Sequence, residues 1–368
     1  MLLQWPGVDF RNQDTIAVTS VTTAAELLEV VKQRIMTQRV LFGSHSKTPI
    51  YVIPTDDDAP VQQRDLRIAI IQPMRPQRNE FNTKDPTHWT AGILAEHKAH
   101  LSEVCRLTAQ NLKAWASAKR SYRNDAGVVN NDTELTAPTV DVILFPELAV
   151  HPAHVPVLRR LSDTLKANIF TGLTFQHSPK VGGTINQGLW LIRTESPNHG
   201  RTIQCIWQGK HHLTQDELDM NVRSYRPHLT LVELPIGYHG KTRIAAAICY
   251  DATDLDLVAD LRDRSDVFLV AALNQDVQTF DNTVAALHFY MYQPAILSDS
   301  SWQTQANSMD TAQIPLPKHD RLVAHIHGNQ QVAVSVFEVN PSAFKTTVPN
   351  KSPITVKTRP AGYRGRGN

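Results

Sequence analysis

Cysteine is scarce: the 368-residue chain holds three, Cys105, Cys205 and Cys249. They show no CxxC spacing and no even-numbered framework, which leaves a structural zinc site and a disulfide scaffold without support. Free thiols of this kind fit a reducing compartment, and a cytoplasmic location is the expectation. Excess charge of either sign is also missing, since 37 Lys and Arg stand against 35 Asp and Glu. A net charge of +2 gives no bulk electrostatic case for nucleic acid or a membrane surface. Apolar runs are strand-sized, so no transmembrane helix is expected. The opening MLLQWPGVDF has no basic stretch and no long apolar core, so a secretory leader is not expected. No internal repeat is visible. What is present, 41% hydrophobic and 20% charged residues, is ordinary for a globular protein. The length accommodates one large α/β domain with extensions, or two smaller domains.

Residues 1–65 read as an N-terminal extension and linker. Within them TTAAELLEVVKQRI has helical spacing behind a Thr cap, TPIYVIP is a short strand candidate, and TDDDAPVQQRD is polar and acidic. LRIAIIQP, Leu66 to Pro73, is a compact β-run of the buried kind. A long helix is predicted over about Thr90 to Lys119, apolar at Leu94, Leu101, Val104, Leu107, Leu112 and Trp115. An Asn-, Asp- and Thr-rich insertion follows. VDVILFPE, NIFTGLTF, LTLVELP, RIAAAICY and DVFLVAAL read as strands, with a helix in VPVLRRLSDTLKA and another near Asp254–Leu261. TINQGLWLIRT and RTIQCIWQGK read as neighbouring strands. A helix is predicted near Thr283–Leu297, then late strands such as QVAVSVFEV. Alternating βα units mixed with strand pairs imply an α/β fold with sizeable sheets, over about residues 66–340. The tail 341–368 has Pro and Gly throughout and, in its last 18 residues, five basic side chains and no acid. It reads as a disordered end, with an electrostatic arm for nucleic acid as the minority reading.

Three strands carry chemistry at their carboxyl ends: VDVILFPE ends in Glu147, TIQCIWQGK in Lys210 and RIAAAIC in Cys249. In α/β sheets ligands bind outside those ends. Each residue has a plain alternative. A Pro-Glu step after a strand is often a turn, a lone lysine is usually a surface charge, and a free cysteine is among the most buried residue types. Together, a carboxylate, an ammonium and a thiol make a base, an oxyanion stabiliser and a nucleophile.

With ILFPEL, GKHHL and AICYD in this order, the sequence resembles the nitrilase, or carbon–nitrogen hydrolase, superfamily. Glu147 and Lys210 lie 63 residues apart, and Lys210 and Cys249 lie 39 apart, within that family's usual range. LRIAIIQP resembles its opening strand, and SDVFLVAALNQD the strand after the cysteine helix. The resemblance implies a four-layer α-β-β-α sandwich, usually dimeric or of higher order, with no cofactor. It also implies an amidase-like activity on a small-molecule amide or carbamoyl C–N bond, because CYD replaces the Cys-Trp-Glu of nitrile hydrolases. Glu147 would take the Cys249 proton, Lys210 and the Tyr250 N–H would hold the oxyanion, and an acyl-thioester would form on Cys249. Water would release an acid; a competing amine would make the same site an acyltransferase. A second glutamate is implied shortly after the lysine. Glu217 fits, Asp216 competes with it, and a solvated helix-start acid is the plain alternative.

Departures from the family are visible. Asp254, Leu255 and Asp256 stand where an aromatic-Pro-Glu step is usual, and the path from LRIAIIQP to Glu147 is long. Of possible metal ligands, His211 and His212 are adjacent and diverge, while His325 and His327 share a strand face without a third ligand. The competing functional reading is a nitrilase-fold interaction or assembly module with a vestigial or regulatory pocket. The chain also resembles, weakly, nitrilase-like domains fused to reverse transcriptases in bacterial phage defence, which would imply a nucleic-acid or reverse-transcriptase partner. No polymerase motif lies in these residues. A papain-like Cys–His arrangement is a distant third, without a local signature around Cys249.

Overall fold

The computed structural model describes residues 23–26, 28, 29, 32, 48–56, 59–125, 140–196, 200–262, 264–274, 277–291, 293–300, 308–313, 322–328 and 332–341. The Asn-rich insertion (126–139) and most of the basic tail (342–368) fall outside them, as does the nucleic-acid arm read into that tail.

The elements in chain order begin with β1 (Ile50–Pro54), β2 (Leu66–Gln72), α1 (Ala91–Asp125), β3 (Val142–Leu144) and α2 (Val155–Leu165). Next come β4 (Asn168–Ser178), β5 (Gly183–Ser196), β6 (Gly200–Gly209), α3 (Gln215–Asp219), β7 (Val222–Arg223), β8 (Leu229–Leu234) and β9 (Thr242–Ile248). The remainder are α4 (Leu255–Leu261), β10 (Val267–Ala272), α5 (Val277–Met291), β11 (Ala295–Asp299), β12 (Ser308–Gln313), β13 (Leu322–Gly328) and β14 (Ala333–Val339).

The strands build two seven-stranded sheets. One runs β1-β8-β9-β10-β11-β12-β13; the other runs β14-β2-β3-β4-β5-β6, with β7 added beside β5. Strand periodicity explains how they stack. In β2, Leu66, Ile68 and Ile70 join the core between the sheets, whereas Ala69 and Ile71 face a second core. That second core holds Leu101, Val104 and Leu112 of α1 with Val157, Leu158 and Leu161 of α2. On the far side, α4 and α5 bury Leu257, Val258, Phe280, Val284 and Leu287 against the first sheet. Helix, sheet, sheet, helix is the four-layer sandwich, and every strand of LRIAIIQ type is buried on both faces, as a sheet covered on both sides requires.

Three boundaries differ from the sequence reading. Residues 50–54, inside the stretch read as an extension, belong to the sandwich: β1 pairs in parallel with β8, and Ile50 and Ile53 enter the inter-sheet core. A five-residue strand has no independent stability, so it exists only by this pairing. Arg64 then clamps Asp141, just ahead of β3, through two 2.7 Å hydrogen bonds. The long helix continues to Asp125, beyond the predicted Lys119. The late helix ends at Met291, because Pro294 cannot continue it, and Ala295–Leu297 instead begin β11, parallel to β10. At the N-terminal helical stretch the expected cap is present as a reciprocal pair: Glu26 N–H donates to the Thr23 hydroxyl, and Thr23 N–H to the Glu26 carboxylate.

Imidazoles lock α1 onto the turn that follows β3. His97 donates to the Ala149 carbonyl at 3.0 Å, His154 to the Leu94 carbonyl at 3.0 Å, and Met74 N–H donates to His100 at 3.1 Å. Trp89 lies against His97 and His151. Burial pushes His97 down to about 4 and His151 to about 4, and it lowers His100 and His154 as well. The unfolded chain takes up these protons near 6.5 while the folded one stays neutral, so stability is lost as pH falls from about 6.5 toward 4. For fully buried His97 the loss is on the order of 2 kcal/mol by pH 5. His97→Gln keeps a donor for Ala149 without titrating, so its urea-unfolding free energy should fall less steeply between pH 7 and 5 than that of the wild type. Parallel slopes would contradict the lock.

Candidate active site

The first sheet delivers a thiol and the second a carboxylate to the same crest. After β3 the chain turns through Pro146, and Glu147 N–H crosses to the other sheet to donate to the Ala272 carbonyl at the end of β10 (3.2 Å). Gly172 N–H donates to the Pro146 carbonyl at 3.0 Å. This approach needs glycine, because a Cβ at 172 would stand 2.4 Å from the Glu147 Cα. Lys210 follows the last residue of β6. Its N–H donates to the Asn186 carbonyl at 3.0 Å, and Tyr225 N–H donates back to its carbonyl at 2.8 Å. Gly209 makes that fit possible, since a Cβ there would lie 1.7 Å from the Tyr225 carbonyl oxygen.

Cys249 closes β9 with φ 45°, a left-handed conformation that a side-chain-bearing residue holds only under constraint. It opens a 3-10 turn, Cys249–Thr253, whose Asp251 supplies the constraint. The buried Asp251 carboxylate accepts the N–H groups of His211 (3.0 Å) and His212 (2.6 Å), the two residues after Lys210. Arg226 pairs with Asp251 at 3.1 Å and with Asp254 at 2.8 Å. The Cys249 turn and the lysine turn are therefore one unit. The departure at 254–256 has a local explanation: Asp254 caps α4 by accepting Asp256 N–H, while Leu255 is exposed.

The side chains converge. The Lys210 ammonium donates to Glu147 Oε1 at 2.8 Å and to Glu217 Oε2 at 2.7 Å. Asn186 Nδ2 donates to Glu147 Oε1 at 2.8 Å and Glu217 Oε1 at 2.7 Å. The buried Cys249 lies beside Glu147 and Lys210, and the charges of both act on its thiol. All five of these side chains are buried, with Lys210 at 1% and Cys249 at 3% exposure. Burial raises the Glu147 pKa; Lys210 opposes this, but Glu217 adds to it, because two carboxylates share one ammonium. Burial also raises the Cys249 thiol well above its ordinary range, with Glu147 pushing the same way against Lys210. For Lys210, burial favours the neutral form, yet Glu147, Cys249 and Glu217 outweigh it and hold the ammonium charged. The outcome is a protonated thiol beside a carboxylate whose proton affinity is raised, next to a fixed cation. This arrangement can move a proton off sulfur and hold an anion.

Of the residues singled out in the sequence, Glu147, Lys210, Cys249 and Glu217 meet here. Asp216 is exposed. The Tyr250 side chain is also exposed, but its N–H belongs to the first turn of the Cys249–Thr253 helix, where N–H groups have no partner within the turn. His211 bonds Ser224 (2.7 Å) and His212 pairs with Asp254 (3.0 Å). The side chains of His325 and His327 lie outside the described residues. Among the described residues no group of three or more His, Cys, Asp or Glu is placed to hold a metal ion. Sequence reading missed Asn186, Asp251 and Arg226. The signal for Asp251 was an acid two residues past the cysteine.

No protein-family model matches the chain, and no curated protein sequence matches it. Solved structures do. A carbon–nitrogen hydrolase superfamily protein from Xanthomonas campestris, with an arsenic adduct in its active site, is 14% identical at TM-score 0.50, covering 77% of this chain and 93% of its own. An amidase from Nesterenkonia sp. is 12% identical at TM-score 0.50, covering 78% and 94%. At such identity the likeness establishes the nitrilase-like fold. No helix of the described residues is long and apolar enough to cross a membrane.

Removing the cation tests the electrostatics. Lys210→Met leaves two buried carboxylates unpaired and should destabilise the fold by roughly 3–5 kcal/mol at pH 7. The Glu147 pKa, already raised, would then rise further above its unfolded value, so stability should recover as pH falls toward 5. Urea titrations at the two pH values check this; a variant equally stable at both contradicts the picture.

Proposed function

We propose that the chain is a cysteine-dependent hydrolase of a non-peptide amide or carbamoyl C–N bond in a small molecule. The observation that carries this reading is the convergence of Cys249, Glu147 and the Lys210 ammonium in one buried site, where the charges of Glu147 and Lys210 act on the thiol. Glu147 takes the thiol proton as sulfur attacks the carbonyl carbon. The carbonyl oxygen becomes an oxyanion, which Lys210 and the Tyr250 N–H stabilise. Glu147 passes its proton to the departing nitrogen, the C–N bond breaks, and an acyl-thioester remains on Cys249. A water, deprotonated by Glu147, then attacks the thioester; acid leaves and the thiol is restored. Where an amine replaces that water, the acyl group is transferred instead. Glu217 and Asn186 keep Lys210 and Glu147 from drifting as charge moves.

Incubation with a panel of small amides, followed by ammonia release and intact mass, tests the proposal. Wild type should release ammonia and accumulate an acyl mass on Cys249 when turnover is stopped by acid. Cys249→Ala should do neither. Glu147→Gln, which preserves shape, should slow acylation by about 10²–10⁴-fold. An acyl mass on another residue, or one that forms equally fast in Glu147→Gln, overturns the assignment.

A further inference from the structure

One amide reaches both carboxylates of the site. Asn186 lies in β5 where that strand and β4 slip register: Leu173 pairs with Gln187 and Gln176 with Ile185, so Thr174 and Phe175 stand against Asn186 alone. A bulge of this kind re-aims a side chain. The Asn186 carbonyl accepts Lys210 N–H at 3.0 Å, while its Nδ2 donates to Glu147 Oε1 at 2.8 Å and to Glu217 Oε1 at 2.7 Å. The carboxylate oxygens are served unequally. Glu217 Oε2 accepts Lys210 at 2.7 Å, Thr214 N–H at 2.8 Å and the Thr214 hydroxyl at 3.1 Å, and its Oε1 accepts Asn186. For Glu147, the hydrogen bonds from Lys210 and from Asn186, both 2.8 Å, end on the same oxygen, Oε1. Asn186 is fully buried, and among the described residues its Oδ1 has no donor. A buried carbonyl without a partner is costly, so this amide is not placed to satisfy itself. Turned over, it would press Oδ1 against two carboxylate oxygens, which fixes its orientation.

We propose that Asn186 is a positioning residue for the base: by occupying Oε1 of both glutamates with one amide, it assigns the thiol's proton to Glu147 Oε2. The assignment rests on Glu147 being the base for Cys249. Oε1 of Glu147 already accepts two N–H groups, one of them from a cation, so a proton arriving there would face the Lys210 ammonium. Glu217 does not compete, because each of its oxygens already holds a donor and Oε2 holds three. The step balances. The S–H bond breaks, its electron pair stays on sulfur, and the proton forms an O–H bond at Oε2, from which it passes to the departing nitrogen. A donor on Oε1 also favours the charged form of Glu147, so Asn186 tempers a proton affinity that burial raises. The charges acting on this carboxylate are Lys210, which lowers its pKa, and Glu217, which raises it; the Cys249 thiol lies beside it, and Glu147 acts in turn on buried Asp299. Replacing Asn186 with a neutral side chain removes none of these.

The rate of Cys249 alkylation by iodoacetamide against pH, read by peptide mass, tests this without any amide substrate. In wild type the rate should fall along an acid limb that belongs to the Glu147–Cys249 pair and is absent in Glu147→Gln. Asn186→Leu, similar in size and without a donor, should move that limb upward by about one pH unit, so that alkylation on the limb is about tenfold slower than in wild type at the same pH. A role in packing alone would lower Tm and leave the limb in place. A folded Asn186→Leu whose limb coincides with that of wild type overturns the inference, as does a limb that moves down. If circular dichroism shows that the leucine variant does not fold, the wild-type protein decides by NMR. The side-chain amide signal of Asn186 should shift with pH at the midpoint of the alkylation limb, because its Nδ2 is bonded to the titrating carboxylate; a signal that does not move through that midpoint refutes the assignment. A Cys249 that is inert in wild type, or an acid limb unchanged in Glu147→Gln, would instead sink the proposed function, so the two failures are distinguishable.

Discussion

One ammonium held between two carboxylates in a dry crevice governs the site. Lys210 alone could not stay charged there, because the desolvation penalty for an isolated buried ion is several kcal/mol. Glu147 and Glu217 return that energy at 2.8 and 2.7 Å, and Asn186 supplies a neutral donor to both. Burial does most to raise Glu147, Lys210 pulls the other way, and the charge of Glu217 adds to the rise. A salt-bridged carboxylate can thus retain the proton affinity that thiol activation demands.

Geometry of this accuracy requires that turns from different strands be tied to one another. The ties are mostly backbone hydrogen bonds between elements distant in sequence: Glu147 N–H to the Ala272 carbonyl, Lys210 N–H to the Asn186 carbonyl, and the His211 and His212 N–H groups to Asp251. Left-handed conformations at Leu148 and Cys249 lie where those ties are densest. Such conformations persist where the surroundings over-determine them, and here two facing sheets do so. Sheet faces fused by the inter-sheet core give the turns a common rigid base; a site spread over two loosely packed layers could not keep its side chains together.

Much of this was legible in the sequence, for identifiable reasons. Buried parallel strands write themselves as unbroken apolar runs, so LRIAIIQ and DVFLVAAL stood out, and a polar residue ending such a run marks the crest. That logic found Glu147, Lys210 and Cys249. It failed at β11, where AILSD follows a proline and merges with the apolar end of a helix. At β1 it found the strand but not its place, because a short strand ahead of an acidic stretch gives no sign that it will add to a sheet edge. Asn186 and Arg226 act only through tertiary contacts, and neither neighbours a motif residue in sequence. Residues that touch the reacting atoms announce themselves by type and placement, whereas those that orient them are common polar residues whose partners lie far along the chain.

Glu217 shows how closely the two kinds of information can overlap. Its carboxylate accepts Thr214 N–H at 2.8 Å and the Thr214 hydroxyl at 3.1 Å, forming the capping box of a five-residue helix, while also binding Lys210 and Asn186. Helix-start acid and site acid, two readings that compete in the sequence, are the same residue in the fold. A helix of one turn has almost no stability of its own, so its cap and its ion pair hold it together. Conversely, the cap orients the carboxylate that confronts Lys210. Seven residues from the lysine is then a structural distance: enough chain to leave β6, turn through His211 and His212 under the Asp251 clamp, and place the third residue of a new helix back over the ammonium.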